Sequence, residues 1–434
     1  MKLKRLILTV LAALLVFPAL SPLALAEESR EIQSEAYIVI DAKTGQVLAE
    51  RNSRVREYPA SITKILTAAM ALENGNLDDV VTMTDEAVWS VGRDTTHIAL
   101  TPGEEVPVRS LLYATMLASA NDAANGLATY VGGDLQNFVR LMNQKAEEAG
   151  AADSNFVNSN GLHDLNHYTT AYDMAMITKW ALTVDGFSEV FGAESYTMPP
   201  TNKQPEPRLF GTYHMMIVES AFTYDGAWGG KLGWTPEALH TMVTVAERDG
   251  VELICVVLKC KNQYDKFRDT AALFDQCFAE YQRAVFSIDE LTAPPMTLTE
   301  NGKQVGTLSI FPQEVEIALP PGVTKEDVVL NYRLKDSPDS TEWEPSVGFR
   351  DLAGNELCRV DLGFAIDSAA SAGAGGAVVV PAQRRIGWPM RILIGLGVFA
   401  AALFVFRSYN IAKRRRRRIE QRERRRREMG RRGT

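Results

Sequence analysis

The strongest constraint on this 434-residue chain is the stretch Pro59-Ala60-Ser61-Ile62-Thr63-Lys64-Ile65-Leu66-Thr67-Ala68. Its apolar, helix-favouring run continues to Asn74-Gly75-Asn76, which predicts a helix starting near Ser61. Residues three apart on a helix share a face, so Ser61 and Lys64 point into the same space. A serine hydroxyl at neutral pH is a poor nucleophile and needs a base. A partly desolvated lysine with a lowered pKa can be that base. The first turn also offers free backbone N–H groups to an oxyanion. The same residues would suit a serine cap followed by a solvated lysine, so the rest of the chain decides the meaning of the pair.

Charge is distributed unevenly. Residues 407–434 hold 14 Lys/Arg and 3 Glu, a net +11, on a chain of net −8, which leaves −19 on the remainder. An acidic body argues against nucleic-acid binding by that body. At the N-terminus, Lys2, Lys4 and Arg5 precede an apolar run from Leu6 to Leu20 and then Ala24-Leu25-Ala26. This is the plan of a secretory signal peptide over residues 1–26, cleaved after Ala26, the alternative being an uncleaved anchor. Near the other end, residues 386–406 read as a membrane span in which Arg391 snorkels. The following tail, 407–434, begins Lys413-Arg414-Arg415-Arg416-Arg417-Arg418 after a short spacer and belongs on the cytoplasmic side. A contact with anionic lipid fits it better than a nucleic-acid arm does. The expected location is therefore the cell membrane, single-pass, with the body outside the cytoplasm.

Between these ends the chain divides into a domain at 27–284, a small β-rich domain at 285–365 and an Ala/Gly-rich linker at 366–385. The larger domain opens with a hairpin, Ala36–Ile40 and Gln46–Glu50 about an Asp41–Gly45 turn. Residues 101–108 read as a loop leading into the apolar helix of Arg109–Leu117. Ser119-Ala120-Asn121 then places short polar side chains between two apolar helices, which suits a cleft. Strands are expected at 240–246 and 251–259, then a helix whose buried face is Leu273, Phe274, Cys277, Phe278 and Tyr281. The β-rich part shows alternating runs and a strong hairpin signal at Asn301-Gly302. Cys255, Cys260, Cys277 and Cys358 form no disulfide framework, and no Cys/His spacing suggests zinc.

Ser61-Ile62-Thr63-Lys64, Ser119-Ala120-Asn121 and Lys231-Leu232-Gly233 line up in order with the S-x-x-K, S-D-N and K-T-G signature. Over about residues 34–280 the chain resembles the low-molecular-mass penicillin-binding proteins, the serine D-Ala-D-Ala carboxypeptidases of peptidase family S11. The resemblance extends to the opening hairpin, the Asn160-Gly161-Leu162 loop and Asn166-His167-Tyr168. It implies an α/β (α+β) transpeptidase fold of the penicillin-binding-protein/β-lactamase kind. In this fold an antiparallel sheet packs with helices, and a small all-β domain and a C-terminal transmembrane helix follow.

The resemblance also implies roles. Ser61 forms the acyl-enzyme, Lys64 takes its proton and Ser119 relays a proton to the leaving amine. Asn121 orients the substrate, Lys231 and Gly233 line its path, and the N–H groups of Ser61 and Trp234 make the oxyanion hole. The implied partners are peptidoglycan stem peptides ending in D-Ala-D-Ala, with β-lactams as covalent inhibitors and the membrane as anchor. No cofactor or metal is implied, and no nucleic acid.

Leu232 departs from the pattern, which has a hydroxyl residue there to hold the substrate carboxylate. Thr235 faces elsewhere on the strand, and Lys266 or Arg268 is the candidate replacement cation. Family members also often carry histidine at the position of Asn160. The rival readings are a binding protein with a degraded third motif, a cross-link endopeptidase, and a β-lactamase, for which Glu206 lies too close to Lys231.

Overall fold

The computed structural model describes residues 31–289, 293, 295–300, 303–336 and 343–368. The expected signal peptide, linker, membrane span and basic tail lie outside the described residues. The described residues form two compact units, one joining residues 31–287 with 314–362, the other joining the described residues of 288–313 with 363–368.

The first unit is built on a five-stranded antiparallel sheet. Its strands are β1 (Ala36–Asp41) and β2 (Val47–Arg51), then after the helices β7 (Ala227–Thr235), β8 (Leu239–Arg248) and β9 (Val251–Cys260), in the spatial order β2-β1-β9-β8-β7. Side chains alternate between faces along a strand. Ile38, Ile40, Val243, Val245, Ile254 and Val256 therefore join one apolar cluster with the helices. Val39, Met242, Cys255 and Val257 join another on the opposite face. Covering both faces explains why these strands read as nearly unbroken apolar runs. The β1–β2 turn is fixed by Asp41, whose Oδ1 accepts from the Lys43 and Thr44 N–H groups and the Thr44 hydroxyl.

Helix α1 (Lys64–Asn74) runs through the larger cluster, and eight of its residues from Lys64 to Ala71 are buried. Around it stand α2 (Asp85–Trp89), α3 (Val108–Leu117), α4 (Asn121–Gly132), α5 (Leu135–Glu148), α6 (Ala171–Ala181) and α7 (Phe187–Phe191). Helix α8 (Asp265–Glu280) covers the far face of the sheet with Leu273, Phe274 and Cys277. The four cysteines are unpaired and buried.

The structure corrects two expectations. Residues 60–63 form a 3₁₀ turn, so the α-helix begins at Lys64 rather than at Ser61. The 101–108 stretch contains a short strand, β4 (Glu105–Pro107), because it pairs with β3 (Val80–Thr82). A second hairpin, β5 (Ser195–Met198) with β6 (Arg208–Gly211), was not foreseen. The expected β-rich part is indeed made of strands. In the first unit these are β10 (Gln282–Ile288) with β13 (Gln313–Leu319), and the sheet of Val329–Asp336, Trp343–Arg350 and Glu356–Asp361. In the second unit β11 (Met296–Glu300), β12 (Lys303–Ile310) and the strand Phe364–Ser368 pair, with Glu300 opposite Lys303 across the expected Asn301-Gly302 turn, itself outside the described residues.

Candidate active site

The 3₁₀ turn places Ser61 one tight turn before Lys64, and in such a turn side chains three apart are eclipsed. Lys64 Nζ lies 2.9 Å from Ser61 Oγ. It also reaches Asn121 Oδ1 and the Asn160 carbonyl, each at 2.6 Å. Lys64 is 0% exposed. Burial, reinforced by the neighbouring Lys231 charge and opposed by Asp122, holds its pKa well below the ordinary lysine value. A lysine whose pKa is lowered in this way is more readily neutral and so can take the serine proton.

Three close approaches fix the serine. Ala60 sits at φ 51°, a left-handed conformation that is strained for a residue with a Cβ. The Pro59 carbonyl accepts a 2.8 Å hydrogen bond from the buried Thr241 hydroxyl on β8. Gly161 and Gly233 complete the clamp. A Cβ on Gly161 would stand 1.8 Å from the Ala60 oxygen, and one on Gly233 2.9 Å from the Ser61 nitrogen. Gly233 therefore brings the edge of β7 against the turn that carries the serine.

Ser119 lies in the middle of the short α3–α4 junction, also left-handed at φ 54°. Its Oγ accepts from Lys231 Nζ at 3.0 Å, and that amine donates as well to the Leu232 carbonyl at 3.0 Å. Burial pushes the Lys231 pKa down to about 7. Ser61, Ser119, Lys231, Leu232, Gly233 and Trp234 all line one cavity of about 250 Å³. Asn121 meets the group through Lys64 rather than through that wall. Trp234 is 57% exposed at the rim.

Of the two candidate cations, Lys266 lines the cavity. Its ammonium donates to the Gln263 carbonyl at 2.6 Å, and burial lowers its pKa to about 8. Arg268 instead pairs with Asp265 at 3.0 Å and lies over the Phe222 ring. Thr235 turns its hydroxyl to the Ala238 N–H. Leu232 is half-buried, touching the outer apolar cluster while bordering the cavity. Among the described residues that line the cavity, none is acidic. The site therefore favours an anionic ligand.

Sequence reasoning did not find Thr241, Asn125 or His214. His214 borders the cavity beneath Gly230, bonds Thr244 Oγ1 at 3.1 Å and is kept neutral by burial, its pKa lowered to about 3. His167, part of the quoted motif, accepts the Val157 N–H on Nδ1, so Nε2 carries the proton donated to Thr63 Oγ1 at 2.9 Å. It braces the serine turn and does not line the cavity.

The family described as D-alanyl-D-alanine carboxypeptidase (Peptidase_S11) matches residues 23–262. The chain is 29% identical over 346 residues to the D-alanyl-D-alanine carboxypeptidase DacF of Bacillus subtilis, covering 77% of this chain and 86% of that protein. It is 31% identical over 266 residues to DacC of Escherichia coli, a protein of the same description, covering 59% of this chain and 64% of that one. Penicillin binding protein 5 of Haemophilus influenzae superposes with a TM-score of 0.61 at 23% identity, over 78% of this chain and 97% of that one, a likeness of fold.

Proposed function

Because the chain belongs to the D-alanyl-D-alanine carboxypeptidase family, as a serine enzyme of the low-molecular-mass penicillin-binding type, we propose that Ser61 and Lys64 remove the terminal D-alanine of peptidoglycan stem peptides through an acyl-enzyme. The observation that carries this reading is the buried Lys64 amine, 2.9 Å from Ser61 Oγ.

Neutral Lys64 takes the Ser61 proton as Oγ bonds to the carbonyl carbon between the two D-alanines. The tetrahedral oxyanion lies between the turn that carries Ser61 and the β7 edge, where the N–H groups of Ser61 and Trp234 receive it. As the C–N bond breaks, the departing amine takes a proton through Ser119 and leaves as D-alanine. Water, deprotonated by the same base, then cleaves the ester and restores the Ser61 hydroxyl. The substrate carboxylate is drawn to Lys231 and Lys266, two amines in a wall without carboxylates. A β-lactam carries a strained amide and a carboxylate in similar positions, so it acylates Ser61 and remains there.

The signal-like N-terminus, apolar 386–406 segment and basic tail support a membrane-anchored enzyme whose catalytic domain faces away from the cytoplasm. Among the described residues no helix is long and apolar enough to cross a membrane. The activity is tested by measuring D-alanine release from an acylated peptide ending in D-Ala-D-Ala. Release by the full chain and its loss in Ser61→Ala are expected. Equal release by both proteins would remove Ser61 from the reaction.

A further inference from the structure

Two of the acceptors around the Lys64 amine are Asn121, on a helix, and the Asn160 carbonyl, on a loop. A loop carbonyl is held only as firmly as the loop itself. From one side, Thr67, three residues along α1 from Lys64, donates its hydroxyl to the Ser159 carbonyl at 2.6 Å. From the other side stands Asn125, one turn along α4 from Asn121. Its Oδ1 accepts from Ser159 Oγ at 2.7 Å and from Asn160 Nδ2 at 3.1 Å. Its Nδ2 donates to the Ala87 carbonyl at 3.1 Å and to Ser90 Oγ at 2.9 Å.

The Ala87 carbonyl can only accept, which fixes the amide with its nitrogen towards α2 and its oxygen towards the loop. Asn125 is 3% exposed, so its amide is shut off from water. A buried amide in such surroundings is costly unless its bonds are met, and here both protons and the oxygen are used. Asn125 does not line the cavity, so its bonds serve the protein and not a ligand.

We propose that Asn125 is a positioning residue: it fixes Ser159 and Asn160 so that the Asn160 carbonyl holds the Lys64 amine on the Ser61 hydroxyl. The proposal rests on the acyl-enzyme reading above for its effect on rate. The charged and titratable groups that act on or feel Lys64 are Lys231 on β7, Asp122 on α4 and His167 before α6. Asn125 is uncharged, so a change there reaches Lys64 through the Asn160 carbonyl. Losing that acceptor destabilises the ammonium and lowers the lysine pKa further.

The test uses the full chain with Asn125→Leu and the milder Ser159→Ala, which keeps Asn125 but removes one of its two bonds to the loop. The acylation rate constant with a fluorescent penicillin is expected to fall about tenfold in Asn125→Leu and less in Ser159→Ala. In both, the acid limb of the pH–rate profile moves to lower pH. The Lys64 titration, read independently by NMR with ¹³Cε-lysine, moves the same way. If Asn125→Leu does not fold, Ser159→Ala decides by the same readouts. An unmoved Lys64 titration in a folded variant overturns the proposal, whatever happens to the rate. If the parent protein is not acylated at all, the acyl-enzyme reading fails, and the NMR titration alone still decides what Asn125 does.

Discussion

Lys64 and Lys266 are two lysines with opposite requirements. Lys64 works neutral, so acylation is expected to rise with pH through its depressed pKa. Lys231 and Lys266 attract a carboxylate only while charged, so KM is expected to climb from about pH 7 and further above about pH 8, where burial has moved their titrations. Steady-state profiles of kcat/KM against pH check both limbs, and a flat alkaline side would remove Lys266 from carboxylate binding. Lys64→Arg is expected to be nearly inactive towards penicillin, because guanidinium keeps its proton. Near-normal labelling of that variant would exclude Lys64 as the base. At position 232 a hydroxyl could add a hydrogen bond to a charged group, worth about 1.5–3 kcal/mol. Leu232→Thr should therefore raise kcat/KM about ten- to a hundredfold. No gain would mean that the two lysines already carry the carboxylate, or that the leucine's packing on the outer cluster shapes the site. Ser61, Lys64, Ser119, Asn121 and Lys231 were legible in the sequence because each belongs to a short motif. Lys266 could not be separated from Arg268, since the choice depends on where α8 begins. Asn125 and Thr241 were not legible, because their partners are 34 and more residues away in the chain.

The elements that matter most to the chemistry are the 3₁₀ turn, β7 and β8. Thr241 on β8 ties down Pro59, and Gly233 on β7 admits the backbone of Ser61. Thr241→Val keeps the shape but removes the side-chain bond that ties the Pro59 carbonyl to β8, at a cost of about 0.5–1.5 kcal/mol. Its melting temperature should fall by several degrees, and acylation should fall with it, whereas Thr241→Ser should recover both. A Val variant with unchanged acylation would show that the turn holds itself. Strands β1, β2, β8 and β9 were legible from their apolar runs and turn signals, whereas β7 was not, because its stretch is glycine-rich; α3, α4 and α8 were legible from their apolar residues. Helices α2 and α7 and the strands of the β5–β6 hairpin were not, because each is only four or five residues long and carries too few positions for a period. The 3₁₀ start was missed because the residues that hold it, Gly161 on one loop and Gly233 and Thr241 on the β7–β8 hairpin, lie far from it in the chain.

At the scale of the whole molecule, the proposed membrane topology, argued from the signal-like N-terminus, the apolar 386–406 segment and the basic tail, can be checked. Protease added to intact cells should reach residues 27–380 and spare residues 407–434. Digestion of the tail from outside would reverse the orientation. The β-rich part was legible as strands from its alternating texture and turn signals. The pairing of β13 with β10 was not, since it joins positions on either side of an intervening hairpin. The central claim, that Ser61 is the nucleophile activated by Lys64, is tested most directly by mass spectrometry of the full chain incubated with benzylpenicillin. The account predicts one added penicilloyl group, mapped to the peptide that contains Ser61 and absent from both Ser61→Ala and Lys64→Arg. An adduct on any other residue, or an unmodified parent chain after prolonged exposure, would contradict it.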